Sequence, residues 1–140
     1  MTSRHEARSI ALQLLYEIDT TTHRVEEVLA RLVYDDSVEE ETYDFVASLV
    51  QGALQHIHQS DAAIARHATA FPVQQMAVID RSILRMALFE LLYPTETPVK
   101  VSINEAVELA KEFGGDGAPG LVNGVLGAIM RSRAADESGS

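Results

Sequence analysis

At 140 residues, 46% of them hydrophobic, the chain fits one domain with a proper core and leaves no room for a second, catalytic one. Its lack of cysteine excludes disulfides, thiolate zinc sites and cysteine nucleophiles, and fits a reducing, cytoplasmic setting. The formal net charge of −10 argues against unaided attraction to nucleic acid, but eleven acids fall in residues 17–61 against only Arg24 and Arg31, so an anionic ligand could dock elsewhere.

The apolar spacing is helical nearly throughout, and four Phe, four Tyr and no Trp leave a core of Leu, Val, Ile and Ala. Ala7, Ala11, Leu14, Leu15 and Ile18 predict a first helix, with Ser3 as its N-cap. A second runs from Arg24 to about Tyr34, with Val25, Val28, Leu29 and Leu32 on one face. The acidic cluster Asp35 to Glu41 then marks a helix start, and Ser37 with Glu40 reads as a capping box. That third helix is predicted from Val38 to near Gln59, with Phe45, Leu49, Ala53 and Ile57 at a four-residue step. Ser60-Asp61 restarts a short helix through His67, and Phe71-Pro72 ends it.

Val78 to Tyr93 is apolar on almost every side, as expected of a helix surrounded by others, and Pro94 and Pro98 bracket the following turn. Ser102 and Glu105 read as a second capping box, opening a helix to about Phe113. Gly114-Gly115-Asp116-Gly117 stops it, and Pro119 suits the first turn of a last helix carrying Leu121, Val122, Val125, Leu126, Ile129 and Met130. The expectation is an all-α bundle of about six or seven helices: a single domain over residues 1–134 with a frayed polar tail over 135–140. No secretory signal and no membrane-spanning segment are expected.

The catalytic inventory is poor. His56 and His58 lie on different helix faces, and all five histidines read as surface groups. No P-loop, dinucleotide fingerprint or nucleophile elbow is present, so neither an enzyme nor a cofactor is expected. What stands out is polar residues within apolar helices: Arg85 and Glu90, expected to bond to loop backbone or to one another, and Asn123, which could reach a surface. The glycine-rich stretch Gly114 to Gly120 precedes a helix N-terminus and is a candidate phosphate contact. Arg4 and Arg8, four residues apart with His5 between, could pair with phosphates while Tyr16 stacks on a base.

Three blocks in order make the chain recognisable: Ile79-Asp80-Arg81-Ser82-Ile83-Leu84-Arg85-Met86-Ala87-Leu88-Phe89-Glu90, then Pro98 through Lys111 with Ile103-Asn104-Glu105-Ala106 at its centre, then Val122-Asn123-Gly124-Val125-Leu126. With Ala7-Arg8 and Ala11-Leu12-Gln13-Leu14-Leu15-Tyr16 they resemble the NusB family over about residues 4 to 130. The resemblance implies an all-helical fold of two packed sub-bundles. It also implies binding of boxA RNA in nascent ribosomal RNA transcripts together with the ribosomal protein NusE, in an RNA polymerase elongation complex with other Nus factors.

By that similarity Arg4, His5 and Arg8 fall at the family's arginine-rich RNA-binding start and Tyr16 at its helix-one tyrosine. Lys111, Phe113, Asp116, Gly120, Leu121 and Asn123 fall in a further RNA-proximal region. His5 and Glu6 stand where some relatives carry arginines, so affinity is expected to come largely from the complex with NusE. Arg8→Glu should then weaken RNA binding and leave folding nearly intact. Two alternatives stay open: a protein-interaction module or homodimer that does not touch RNA, and the NusB-like domain that precedes an RNA cytosine methyltransferase.

Overall fold

The computed structural model describes residues 2–35, 37–68, 72–93 and 95–139. Asp36 of the acidic cluster, Phe71 before its proline and Pro94 at the expected turn lie outside them. The described residues form seven α-helices and a short 3-10 turn, without strands: α1 (Arg4–Thr20), α2 (Val25–Val33), α3 (Glu40–Gln55), α4 (Ile57–His67), the turn Val73–Gln75, α5 (Val78–Leu92), α6 (Val99–Phe113) and α7 (Ala118–Gly139). This is the expected all-α bundle.

The helices fall into two groups that share one member. α1 and α3 pack on each other and on α5, with α2 against both, while α4, α6 and α7 gather on the other side of α5. α5 is accordingly buried along most of its length, with Ile83, Leu84, Met86 and Leu88 almost wholly excluded from solvent. Gly52 of α3 permits the close crossing with α5, because a Cβ there would overlap the Phe89 ring.

Some helix ends differ from expectation, each for a local reason. Ser3 does cap α1, its hydroxyl accepting from the Glu6 amide at 3.0 Å. Ser37 does not cap α3: its hydroxyl donates to Asp35 Oδ1 at 2.6 Å, and the helix begins only at Glu40. α3 stops at Gln55 instead of Gln59, because His56 leaves helical geometry and its ring stacks on Tyr93 at 3.8 Å. Ser60 lies buried inside α4, which starts at Ile57. Ser102 is likewise inside α6, which Pro98 opens earlier, and Glu105 turns to His5 and Arg8 rather than back to a cap. α7 runs on to Gly139, within the segment expected as a polar tail. Ala134 and Ala135 are strong helix formers, and Arg133 meets Glu137 one turn on.

The charged residues embedded in α5 have partners on other helices. Arg85 forms a two-pronged pair with Asp61 of α4, both contacts at 2.8 Å, and reaches Asp19 of α1 at 3.6 Å. Glu90 accepts from Arg8 Nε and Nη2 of α1, each at 2.9 Å. Arg85 and Glu90 thus pin α5 separately to its neighbours; they do not pair with each other.

Candidate nucleic-acid interface

Tyr16 and Phe113 are large ring side chains left in solvent, 45% and 37% exposed. Tyr16 points outward because α1 uses Leu12, Leu14 and Leu15 for the core, and Phe113 ends α6 where the chain turns away at Gly114. The two rings edge one open groove of about 730 Å3, completed by Gln13, Glu17, Ala77, Val78 and Ile79. Its walls are mainly apolar. The carboxylate at its edge, Glu17, is held at a pKa of about 2 by hydrogen bonds from Arg31 and then His23. Glu17 and Arg31 neutralise each other and leave phosphate no free cation here, so this groove suits the flat faces of bases, with the backbone held elsewhere.

The head of α1 exposes its three candidate residues unequally. Arg8 is 4% exposed, and its guanidinium is committed to Glu90, with Thr97 at 3.5 Å. It is a buried structural ion pair with little surface left for RNA; Arg8→Glu would set three carboxylates together around that site. His5 is half-buried between Glu105 and Glu112. Arg4 alone of the three is exposed, its guanidinium carbon 3.9 Å from the centre of the Phe45 ring, a cation–π contact. Arg4 lines a different groove from Tyr16, one of about 570 Å3 with Phe45, Pro98 and Val101.

Beyond Phe113, Asp116, Gly120 and Asn123 are exposed around the start of α7, and Leu121 is half-buried. Lys111 is exposed but sits 3.1 Å from Glu108. No described glycine has positive φ, and a Cβ at Gly115, Gly117 or Gly120 would meet open space. These glycines therefore keep the surface before α7 low rather than shaping a strained turn. Gly114 is the tight position: a Cβ would lie 2.5 Å from the Ala118 Cβ.

Sequence reasoning passed over two groove participants and one buried carboxylate. Phe45 supports Arg4, and Ala77–Ile79 form a groove wall; both lie far along the chain from their partners. Asp80 of α5 has a buried Oδ1 without a hydrogen-bond partner among the described residues, and burial raises its pKa. The signal available for Asp80 was a carboxylate at the head of an apolar helix. No cluster of described His, Asp or Glu side chains could hold a metal ion, and no described helix is long and apolar enough to cross a membrane.

A model of the NusB family matches residues 5–131. The transcription antitermination protein NusB of Dehalococcoides mccartyi strain CBDB1 is 44% identical over 133 residues, spanning 95% of this chain and 93% of that protein. The protein of the same name from Chloroflexus aggregans is 46% identical over 129 residues, with 91% and 86% covered. Among solved structures, T. maritima NusB superposes with a TM-score of 0.84 at 26% identity, covering 93% of this chain and 92% of that one. A chain from the antitermination factors NusB and NusE in complex with double-stranded RNA gives 0.81 at 26% identity, with 92% and 96% covered.

Proposed function

The chain belongs to the NusB family, and from that premise we propose that it is a non-enzymatic transcription antitermination factor. It binds boxA RNA of nascent ribosomal RNA transcripts together with NusE, and the pair joins the RNA polymerase elongation complex with other Nus factors in the cytoplasm. The observation that carries the RNA half of this reading is the groove lined by the two exposed rings of Tyr16 and Phe113.

The charge pattern supports a joint rather than a solitary interaction. Arg8, Arg31, Arg81, Arg85 and Lys111 all have carboxylate partners within the chain, and the net charge is −10. Cations already neutralised release few counterions from RNA. NusE then supplies positive surface, while this chain supplies flat contacts to bases.

Titration of labelled boxA RNA and a scrambled control tests this, with the chain alone and with NusE. The complex should prefer boxA, and Tyr16→Ala or Phe113→Ala should each weaken it by about 1–3 kcal/mol with little change in stability. Equal binding of both RNAs would favour the interaction-only reading, which sedimentation at several concentrations, with and without NusE, would then resolve into homodimer or hetero-complex.

A further inference from the structure

His5 touches two carboxylates of α6 at once. Its Nδ1 is 2.8 Å from Glu105 Oε2 and its Nε2 is 2.6 Å from Glu112 Oε1. A neutral imidazole has one N–H and one lone pair, and an ionised carboxylate only accepts, so both contacts are hydrogen bonds only when the ring carries two protons. Glu105 and Glu112 are seven residues apart, two turns along one helix face, and the ring spans that distance. Arg8 Nη1 lies 3.8 Å from Glu105, Glu90 of α5 holds the rest of that guanidinium, and Glu108, between the two carboxylates along α6, pairs with Lys111. His5 with its two carboxylates therefore bears one net negative charge when protonated and two when not.

We propose that a proton-operated clamp governs the head of α1: Glu105 and Glu112 hold the His5 imidazolium away from an approaching phosphate, and loss of its proton leaves both carboxylates facing the RNA. The clamp rests on the RNA-binding reading above for its consequence, though not for its geometry. Hydrogen bonds to Glu105 and then Glu112 keep the ring's pKa above its ordinary 6.5, so the step lies above that value. RNA affinity then falls as pH rises through that step. Glu112 acts as an internal competitor whose removal tightens binding.

Two measurements on the full chain decide the matter: NMR titration of the His5 ring protons, and binding of labelled boxA RNA to the chain with NusE between about pH 6 and 8.5. His5 should titrate above 6.5, and Glu112→Gln should lower that value. Glu112→Gln should also tighten RNA binding by about three- to tenfold, the effect of one unit charge close to phosphate. Glu27→Gln, which removes the same charge from α2, should change affinity by less than about twofold. His5→Gln should abolish the pH step and bind like wild type at high pH. A His5 pKa at or below 6.5 and indifferent to Glu112→Gln overturns the clamp. A pH profile of RNA affinity identical in wild type and His5→Gln overturns its control of RNA. Failure to bind RNA at any pH overturns the functional reading and that control together, while the ring titration still reports whether the clamp exists.

Discussion

Arg8 and Glu90 put a full charge each where almost no water reaches, their side chains only 5% and 4% exposed. Such a pair is held by mutual satisfaction: two parallel N–H···O contacts replace the lost hydration of both groups. Removing one partner strands the other. Arg8→Met should therefore destabilise the chain by about 3–5 kcal/mol in urea unfolding, while Arg8→Met with Glu90→Leu should recover most of that loss. Near-additivity of the two single effects would show that the pair is not a unit. The sequence made Glu90 visible as a polar group in apolar surroundings, but its pattern read Arg8 as a phosphate contact on an open helix face. It did not pair them, because the contact joins positions 8 and 90, and no local spacing encodes a separation of that kind. The same distance hid Phe45 beneath Arg4, whereas Tyr16 was legible because its outward position follows from the periodicity of its own helix.

At the scale of elements, the crossing of α3 and α5 depends on Gly52 lacking a side chain beneath the Phe89 ring. Gly52→Val should push that ring out of place and lower stability by about 1–3 kcal/mol, read as a fall in thermal midpoint. Pairing it with Phe89→Leu, which clears the contact, should restore part of the loss. Helix existence was readable throughout the described chain, and α5 and α1 lie within about two residues of expectation. Starts were misread where a Ser-x-x-Glu pattern looked like a cap. Asp35 draws off the Ser37 hydroxyl, and His5 draws off Glu105, so in both places a competing partner defeats the local motif. The break at His56 was invisible for a related reason: its compensation is a ring stack with Tyr93, just beyond the end of α5 and far along the chain.

At the scale of the whole molecule, acidity and pairing act together on stability. Glu17 has its pKa depressed from 4.5 to about 2, so its contribution is present above 4.5 and is lost as pH falls towards 2. His5 is raised above 6.5, so its contribution is present below 6.5 and disappears as pH rises through the higher folded value. Self-repulsion among the surplus acids also grows as pH climbs away from the isoelectric point near 4.8. Thermal midpoints measured across pH should therefore peak on the acidic side of neutrality, between about 5 and 6.5, and decline in both directions. A profile still rising at alkaline pH would mean that neither His5 nor overall charge governs stability.

The sharing of α5 by both helix groups has a consequence for how the protein comes apart. A wall common to two rooms cannot be taken down for one alone: loosening either group uncovers part of α5, most of whose length is buried between them. Calorimetric and van't Hoff enthalpies of melting should then agree, and amide protons at the middle of α5 should exchange only through global opening, slower than those at the far end of α7.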